Sequence, residues 1–182
     1  MSDLVDVAEL RVWLEEGYAS SVRTAYLILG NRLDAEDAVQ ESFLRAWKFR
    51  DSLSSDSNFK PWLYRVVVNT CNSKLRKEIP HRDHRSREDE LAGVAAIDDP
   101  MGRVALSNDV MTALKDLPTH LRIVVVLRYY ADLSERDIAT AIGRQPGTVK
   151  SRLSDARARL AAHPALQYDT TGEMDDRKKG HS

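Results

Sequence analysis

From Leu133 to Leu160 the chain reads LSERDIATAIGRQPGTVKSRLSDARARL, a stretch that specifies a helix, a tight turn and a second helix. Ser134 precedes an apolar-periodic run and Asp137 follows three residues later, which resembles a capping box with Asp in place of Glu. Leu133, Ile138 and Ile142 supply a buried side, and Ala139 lets a second helix approach closely. Gly143 stands where a left-handed helix stop is needed. Pro146 suits a first helical turn, where its missing N–H costs nothing. Val149, Leu153, Ala156 and Leu160 then recur as an apolar stripe, with Gly147, Lys150, Ser151, Ser154 and Asp155 opposite. Such a pair can place its second helix in a DNA major groove. An ordinary αα-hairpin with a solvated polar side has the same pattern. Charge favours the groove reader: residues 119–160 hold eight Lys/Arg against four Asp/Glu. Lys150, Arg152, Arg157 and Arg159 crowd the second helix, and phosphates reward such clustering through counterion release.

The net charge of −1 over 182 residues hides an alternation. Residues 1–58 sum to −5, 59–87 to +6, 88–118 to −5, 119–160 to +4 and 161–182 to −1. Two basic blocks around an acidic one suggest two nucleic-acid contacts joined by a segment that avoids or mimics nucleic acid. No apolar run approaches the ~20 residues that span a bilayer. The start, MSDLVDVAELRVWLEEG, is acidic and amphipathic, unlike a secretory signal. The single Cys71 can form no internal disulfide and reads as a small core residue, so a cytoplasmic location is expected.

The pattern is helical throughout. Helices are expected over about 6–29, with a break near Gly17, and over 34–50, 59–77, 103–115, 119–130, 134–142 and 146–161. Val66-Val67-Val68 and Val124-Val125-Val126 are β-prone, but each lies inside a longer helical stripe. Residues 78–102 carry Pro80, Gly93, Asp98, Asp99 and Pro100 without amphipathic period and read as a linker. Residues 162–182 read as a disordered tail.

The N-terminal half carries its own pattern. Along Asp34–Trp47, Ala35, Val39, Phe43 and Trp47 are expected to be buried, while Asp37, Gln40, Glu41 and Leu44 fall on another face. An exposed leucine among acids suits protein docking, and a solvated acidic face would look the same. In the next helix Leu63, Val67, Cys71 and Leu75 repeat every four residues towards the core. Arg65, Asn69, Asn72 and Arg76 share the polar side. An asparagine amide can read a base edge while arginines hold phosphates. The loop Leu53, Ser54, Ser55, Asp56, Ser57, Asn58 precedes Phe59, Trp62 and Tyr64. Aromatic rings there suit unpaired bases, which stack at ~1–3 kcal/mol each. For Phe59 and Trp62 a core position is the expectation.

Three segments, DAEDAVQESFLRAWK (34–48), FKPWLYRVVVNTCNSKLRK (59–77) and the block from LPTHLRIVVVLRYYADLSERDIATAIG to GTVKSRLSDARARL, together resemble the extracytoplasmic-function class of bacterial RNA polymerase sigma factors, of the sigma-70 family. They lie in that family's order and separations, from about residue 18 to 160. The resemblance implies an all-α fold of two small helical domains. Sigma region 2 would occupy 1–77 and sigma region 4, with its helix-turn-helix, 104–161, joined by a flexible acidic linker over 78–103. It implies an alternative sigma factor without enzymatic activity or cofactor. Its partners would be promoter DNA and core RNA polymerase, through the β′ clamp helices and the β flap, with an anti-sigma factor as a further candidate. No membrane insertion is implied, and the holoenzyme would sit on the nucleoid.

Carried over by residue, Asp37, Gln40, Glu41 and Leu44 would contact the β′ clamp helices. Leu53–Asn58 with Arg65, Asn69, Asn72 and Arg76 would meet the −10 element, Asn69 and the loop capturing a flipped base. Pro146, Gly147, Thr148, Lys150, Ser151, Arg152, Ser154, Asp155 and Arg157 would meet the −35 element. The two elements lie nearly two helical turns apart, ~60 Å, and a 25-residue linker reaches ~80–90 Å. The sequence departs from the family at Ser54-Ser55-Asp56, where a Gly-containing turn is frequent, and at Gln145-Pro146, where a hydroxyl cap is frequent. It departs again at Ser154-Asp155, where arginine often follows. An aspartate facing DNA repels phosphates but can accept from a cytosine amino group. Alternatively, Asp155 pairs with Arg159 or Arg152 and orients a phosphate-binding arginine.

Two other classes remain. A regulator with a C-terminal helix-turn-helix of the response-regulator kind would explain 104–161 and leave the Asn69 face and the 34–48 motif unexplained. An anti-sigma or adaptor protein would not need two basic blocks. An enzyme fits poorly, because His81 and His84 lie in the linker with no ligand set at metal spacing.

Overall fold

A computed structural model describes residues 6–50, 59–78 and 107–167. They form seven α-helices and no strand. The expected base-pocket loop Leu53–Asn58, the linker from residue 79 and the segment 103–106 lie outside the described residues.

The N-terminal unit is three helices, α1 (Val7–Leu29), α2 (Arg32–Lys48) and α3 (Phe59–Glu78). Gly30, at φ +79°, ends α1 and donates its N–H to the Tyr26 carbonyl at 2.7 Å. Asn31 then caps α2, its Oδ1 accepting the Asp34 N–H at 3.1 Å. One left-handed glycine and one side-chain cap thus reverse the chain within two residues. The expected break at Gly17 is absent, since α1 runs through it. A Cβ there would lie 3.1 Å from Leu63 Cδ2, so this glycine admits a close approach of α3. Ala25, Ile28, Ala35, Ala38, Val39, Val67 and Cys71 are fully buried between the three helices. The Ser42 hydroxyl sits in the α2–α3 seam, within hydrogen-bond distance of the Ala38 carbonyl (2.7 Å) and of Thr70 Oγ1 (3.1 Å). Buried hydroxyls need such partners. A smaller cluster forms around Leu10, with the rings of Trp13, Phe59 and Trp62 stacked in series at 4.7 and 5.7 Å. Phe59 and Trp62 are therefore half-buried against the core, where the sequence places them. Tyr64 is fully buried, its hydroxyl donating to Ser20 Oγ at 3.2 Å, and offers no ring to a base.

The C-terminal unit holds α4 (Asn108–Asp116), α5 (Thr119–Tyr129), α6 (Glu135–Ile142) and α7 (Pro146–Ala161). Both valine triplets are helical, in α3 and α5. Residues expected to begin a tail instead fold back. Pro164–Leu166 form a 3-10 turn against α4. His163 Nδ1 accepts the Ala165 N–H at 3.2 Å, which places the ring proton on Nε2, facing Asp116 Oδ2 at 3.0 Å. This anchor has no hydrophobic period, so pattern reading misses it.

The two units pack on each other, α6 against α3 and α5 against α1, around one continuous core. Arg122 of α5 crosses the seam and donates from Nη1 to the Ile28 carbonyl at 2.8 Å.

Candidate nucleic-acid interface

The turn between α6 and α7 follows its sequence signals closely. Ser134 Oγ accepts the Asp137 N–H at 3.1 Å, and its own proton faces Asp137 Oδ2 at 2.7 Å. Gly143 adopts φ +63°, its N–H bonding Thr140 and the Arg144 N–H bonding Ala139. This is a Schellman stop, and no atom lies within 4 Å of a Cβ added there. Pro146 opens α7 behind Gln145, which makes no side-chain cap. The first-turn N–H groups of α7 therefore have no capping side chain, the arrangement that suits a phosphate.

Val149, Leu153 and Ala156 bury one side of α7. Gly147, Lys150, Ser151, Ser154, Asp155 and Arg157 are exposed, and so is Pro146, while Thr148 and Arg152 are half-buried. Lys150 and the short hydroxyls of Ser151 and Ser154 present donors beside a basic flank, which fits base edges and phosphates in a major groove. Among the described residues no ion pair joins Asp155 to Arg152 or Arg159.

On α3, Leu63, Val67 and Cys71 are buried and Leu75 half-buried. Arg65, Asn69 and Arg76 are exposed on the other side and Asn72 is half-buried. Burial pushes the Cys71 thiol up to about 12, so it is a neutral core group. Asn69 and Asn72 do more than face solvent. With Val68 they line a cleft of about 310 Å3 whose far wall is Thr119, His120, Ile123, Ile142, Arg144 and Arg152. Sequence reading places the two basic faces on separate domains; the structure brings Arg152 of one to Asn69 and Asn72 of the other. Nothing local marks His120 or Arg144 for this cleft, since the contact spans α3 and α6.

On α2, Asp37, Gln40 and Leu44 are exposed and Glu41 is half-exposed. Leu44 shows 72% of its surface. Trp47, expected in the buried stripe, is 42% exposed, and Leu33 is 75% exposed. The reason is helical geometry: a strict i+4 series advances about 40° per step, so Ala35–Val39–Phe43–Trp47 winds off the core. Leu33, Asp37, Gln40, Leu44 and Trp47 form one outward stripe, and this spacing is the signal that finds Leu33 and Trp47. Asp37 is ion-paired with Lys74 of α3, and Glu41 with Arg45 at 2.5 Å. The Asp37 hydrogen bond is the main cause raising the Lys74 pKa, with the charges of Asp34 and Glu41 adding to it against desolvation. The acids of this face are thus held in place by cations at its edge.

Among the described residues no cluster of His, Cys, Asp or Glu could hold a metal, and no helix is long and apolar enough to cross a membrane.

Comparison with known proteins agrees with this geometry. Residues 16–79 match Sigma-70 region 2, and residues 107–160 match Sigma-70, region 4. The ECF RNA polymerase sigma factor SigW of Bacillus subtilis is 30% identical over 172 residues, covering 87% of this chain and 86% of SigW. The ECF sigma factor SigM of Mycobacterium tuberculosis is 36% identical over 150 residues, 82% of this chain and 73% of SigM. The sigma factor RpoE of Bartonella quintana, solved with the anti-sigma factor NepR, superposes with a TM-score of 0.67 at 30% identity, covering 89% of this chain and 96% of RpoE. A helix-turn-helix regulator would leave the match over 16–79 without a role. The chain belongs to the ECF RNA polymerase sigma factors of the sigma-70 family, non-catalytic proteins that bind core RNA polymerase and direct promoter recognition and transcription initiation.

Proposed function

We propose a division of labour for the three exposed faces. Residues 1–77 act as region 2. There α2 docks on the β′ clamp helices through Asp37, Gln40, Glu41 and Leu44, with Leu33 and Trp47 extending the contact. Arg65, Asn69, Asn72 and Arg76 of α3, with the loop Leu53–Asn58, take the −10 element, and Asn69 reads a flipped base. Residues 104–161 act as region 4, with α7 in the −35 major groove and the unit seated at the β flap. On this reading Asp155 faces a base edge.

One observation carries most weight. α7 exposes Gly147, Lys150, Ser151, Ser154 and Asp155 on one open side, directly opposite the buried Val149, Leu153 and Ala156. A helix held this way offers a groove a fixed set of donors and acceptors. The protein works in the cytoplasm, on the nucleoid when in holoenzyme. The complex of its relative RpoE with an anti-sigma factor supports a partner of that class here too.

The test is reconstitution. Purified chain added to core polymerase should start transcripts at discrete sites on a promoter library, and the selected promoters should share two short elements. Core polymerase that starts no better with the chain than without it would refute the reading.

A further inference from the structure

Between α1 and the first turns of α3 lies a cleft of about 430 Å3, the size of a small-molecule site. Trp13, Phe59 and Leu63 form its apolar wall, the two rings 4.7 Å apart between centres. Gly17 adds no side chain to it. Glu16 and Lys60 reach it from exposed positions on the two helices. Ser21 reaches it from a fully buried one. No residue of the cleft belongs to the α2 stripe or to the polar faces of α3 and α7, so the promoter and polymerase assignments leave it unused.

Two features point to a ligand. The buried Ser21 hydroxyl has no hydrogen-bond partner among the described residues, although buried hydroxyls nearly always find one. Its neighbour Ser20 is satisfied: the hydroxyl donates to the Gly17 carbonyl at 3.3 Å and accepts from the Tyr64 hydroxyl at 3.2 Å. The second feature is charge. α1 and α3 carry ion pairs elsewhere, Arg11 with Glu15 and Lys74 with Asp37. Among the described residues neither Glu16 nor Lys60 joins one.

We infer that this cleft binds a free α-amino acid with a large apolar side chain. The ammonium of the ligand meets the Glu16 carboxylate. Its carboxylate takes the Ser21 proton and faces Lys60. Its side chain lies along Trp13, Phe59 and Leu63. An anion would be opposed by Glu16 and a cation by Lys60, whereas a zwitterion is opposed by neither. A purely apolar molecule would use the wall and leave Ser21 without a partner, which is the costly arrangement. An occupant of this kind ties α1 to the start of α3 and therefore stabilises the N-terminal unit.

The test is titration of the full chain with L-phenylalanine and L-leucine, followed by calorimetry and ligand-observed NMR. For ligands of this size a Kd of about 0.1–1 mM is expected. At about ten times Kd the melting temperature should rise by about 3 °C. 3-Phenylpropanoate, which lacks the ammonium, and 2-phenylethylamine, which lacks the carboxylate, should each bind about tenfold more weakly than phenylalanine. Glu16→Gln should weaken phenylalanine about fivefold and leave 3-phenylpropanoate nearly unaffected. Lys60→Gln should weaken phenylalanine by the same factor and leave 2-phenylethylamine nearly unaffected. A merely structural role for either charge would not produce this pairing of variant with analogue. Ser21→Ala should weaken both amino acids about fivefold without lowering the melting temperature of the free chain, because it removes a hydroxyl that has no partner there. Should Ser21→Ala unfold, the two charge variants decide. No saturable binding up to about 10 mM would overturn the inference. So would analogues that bind as well as phenylalanine, since the cleft would then be a general apolar surface. Variants that all bind like wild type would overturn it too, by placing the amino acid elsewhere.

Discussion

The two helices proposed to read DNA, α3 and α7, are built alike and constrained differently. Each sets a polar face against a buried apolar stripe. α7 is fixed by its own neighbourhood: the Ser134 cap, the left-handed Gly143, Pro146, and α5 and α6 packed behind it. Its polar face is open. α3 is fixed from a distance, by α1 and α2 on its apolar side and by α6 beside its polar side. Its polar face is half shared with the other unit. Spacing alone shows a helix and its buried stripe, as in both cases here, but what covers a polar face through long-range packing it does not show.

The sharpest way to break this comparison is to stop either helix reaching DNA. If α2 delivers both to the polymerase, Asp37→Arg with Glu41→Arg should weaken core binding by on the order of 10–100-fold, as buried or rim charge pairs do when inverted. Helicity by circular dichroism should be unchanged. Equal affinity for core would remove α2 from the account.

Next comes Asn69→Ala. A good polar base contact is worth ~1–3 kcal/mol of discrimination, and the loss should fall on one −10 position in a promoter-library assay. Equal loss at every position would make Asn69 a phosphate or structural contact.

Gly143→Ala probes how local the specification of α7 is. No atom lies near the added Cβ, so only the left-handed backbone resists it. The cost should be about 1–2 kcal/mol of stability, read as a shift in denaturant midpoint. A larger loss would mean that α6 moves as well.

Cys71 marks the long-range packing of α3. Folded Cys71 keeps its proton up to about 12, while the unfolded thiol ionises near 9. Its pKa is raised on folding, so its stabilising contribution is fully present below pH 9 and fades as pH rises towards 12. The stability difference between wild type and Cys71→Ala should shrink by about 1 kcal/mol between pH 8 and pH 10. A constant difference would mean the thiol is not sealed in the core.

Much of this was legible in the sequence, for identifiable reasons. The α6–α7 turn was, because Ser134, Gly143 and Pro146 each carry a local backbone requirement. The all-α pattern was as well, since helical period overrode the β-prone valines of α3 and α5. Trp47 lies outside the buried stripe that its i+4 spacing suggests, because such a series drifts about 40° per step. Gly17 suggests a break in the sequence because its use, the close approach of Leu63, lies on another helix. The pairing of His163 with Asp116 and the bond from Arg122 to the Ile28 carbonyl leave no trace in pattern, since each partner lies far away in sequence. The cleft joining Asn69 to Arg152 is the same kind of feature.

Asp155→Ala should have the smallest effect, because Asp155 is exposed and joined by no ion pair to its neighbouring arginines. It also enters the most direct test of the central claim, that α3 reads one element and α7 the other. Holoenzyme reconstituted from core polymerase with wild type, Asn69→Ala or Asp155→Ala would be run on a library randomised over both elements. We expect Asn69→Ala to change base preference only in the −10 element, and Asp155→Ala to change it at one base pair of the −35 element only. Preferences altered in the opposite element, or in both elements by either variant, would contradict the account.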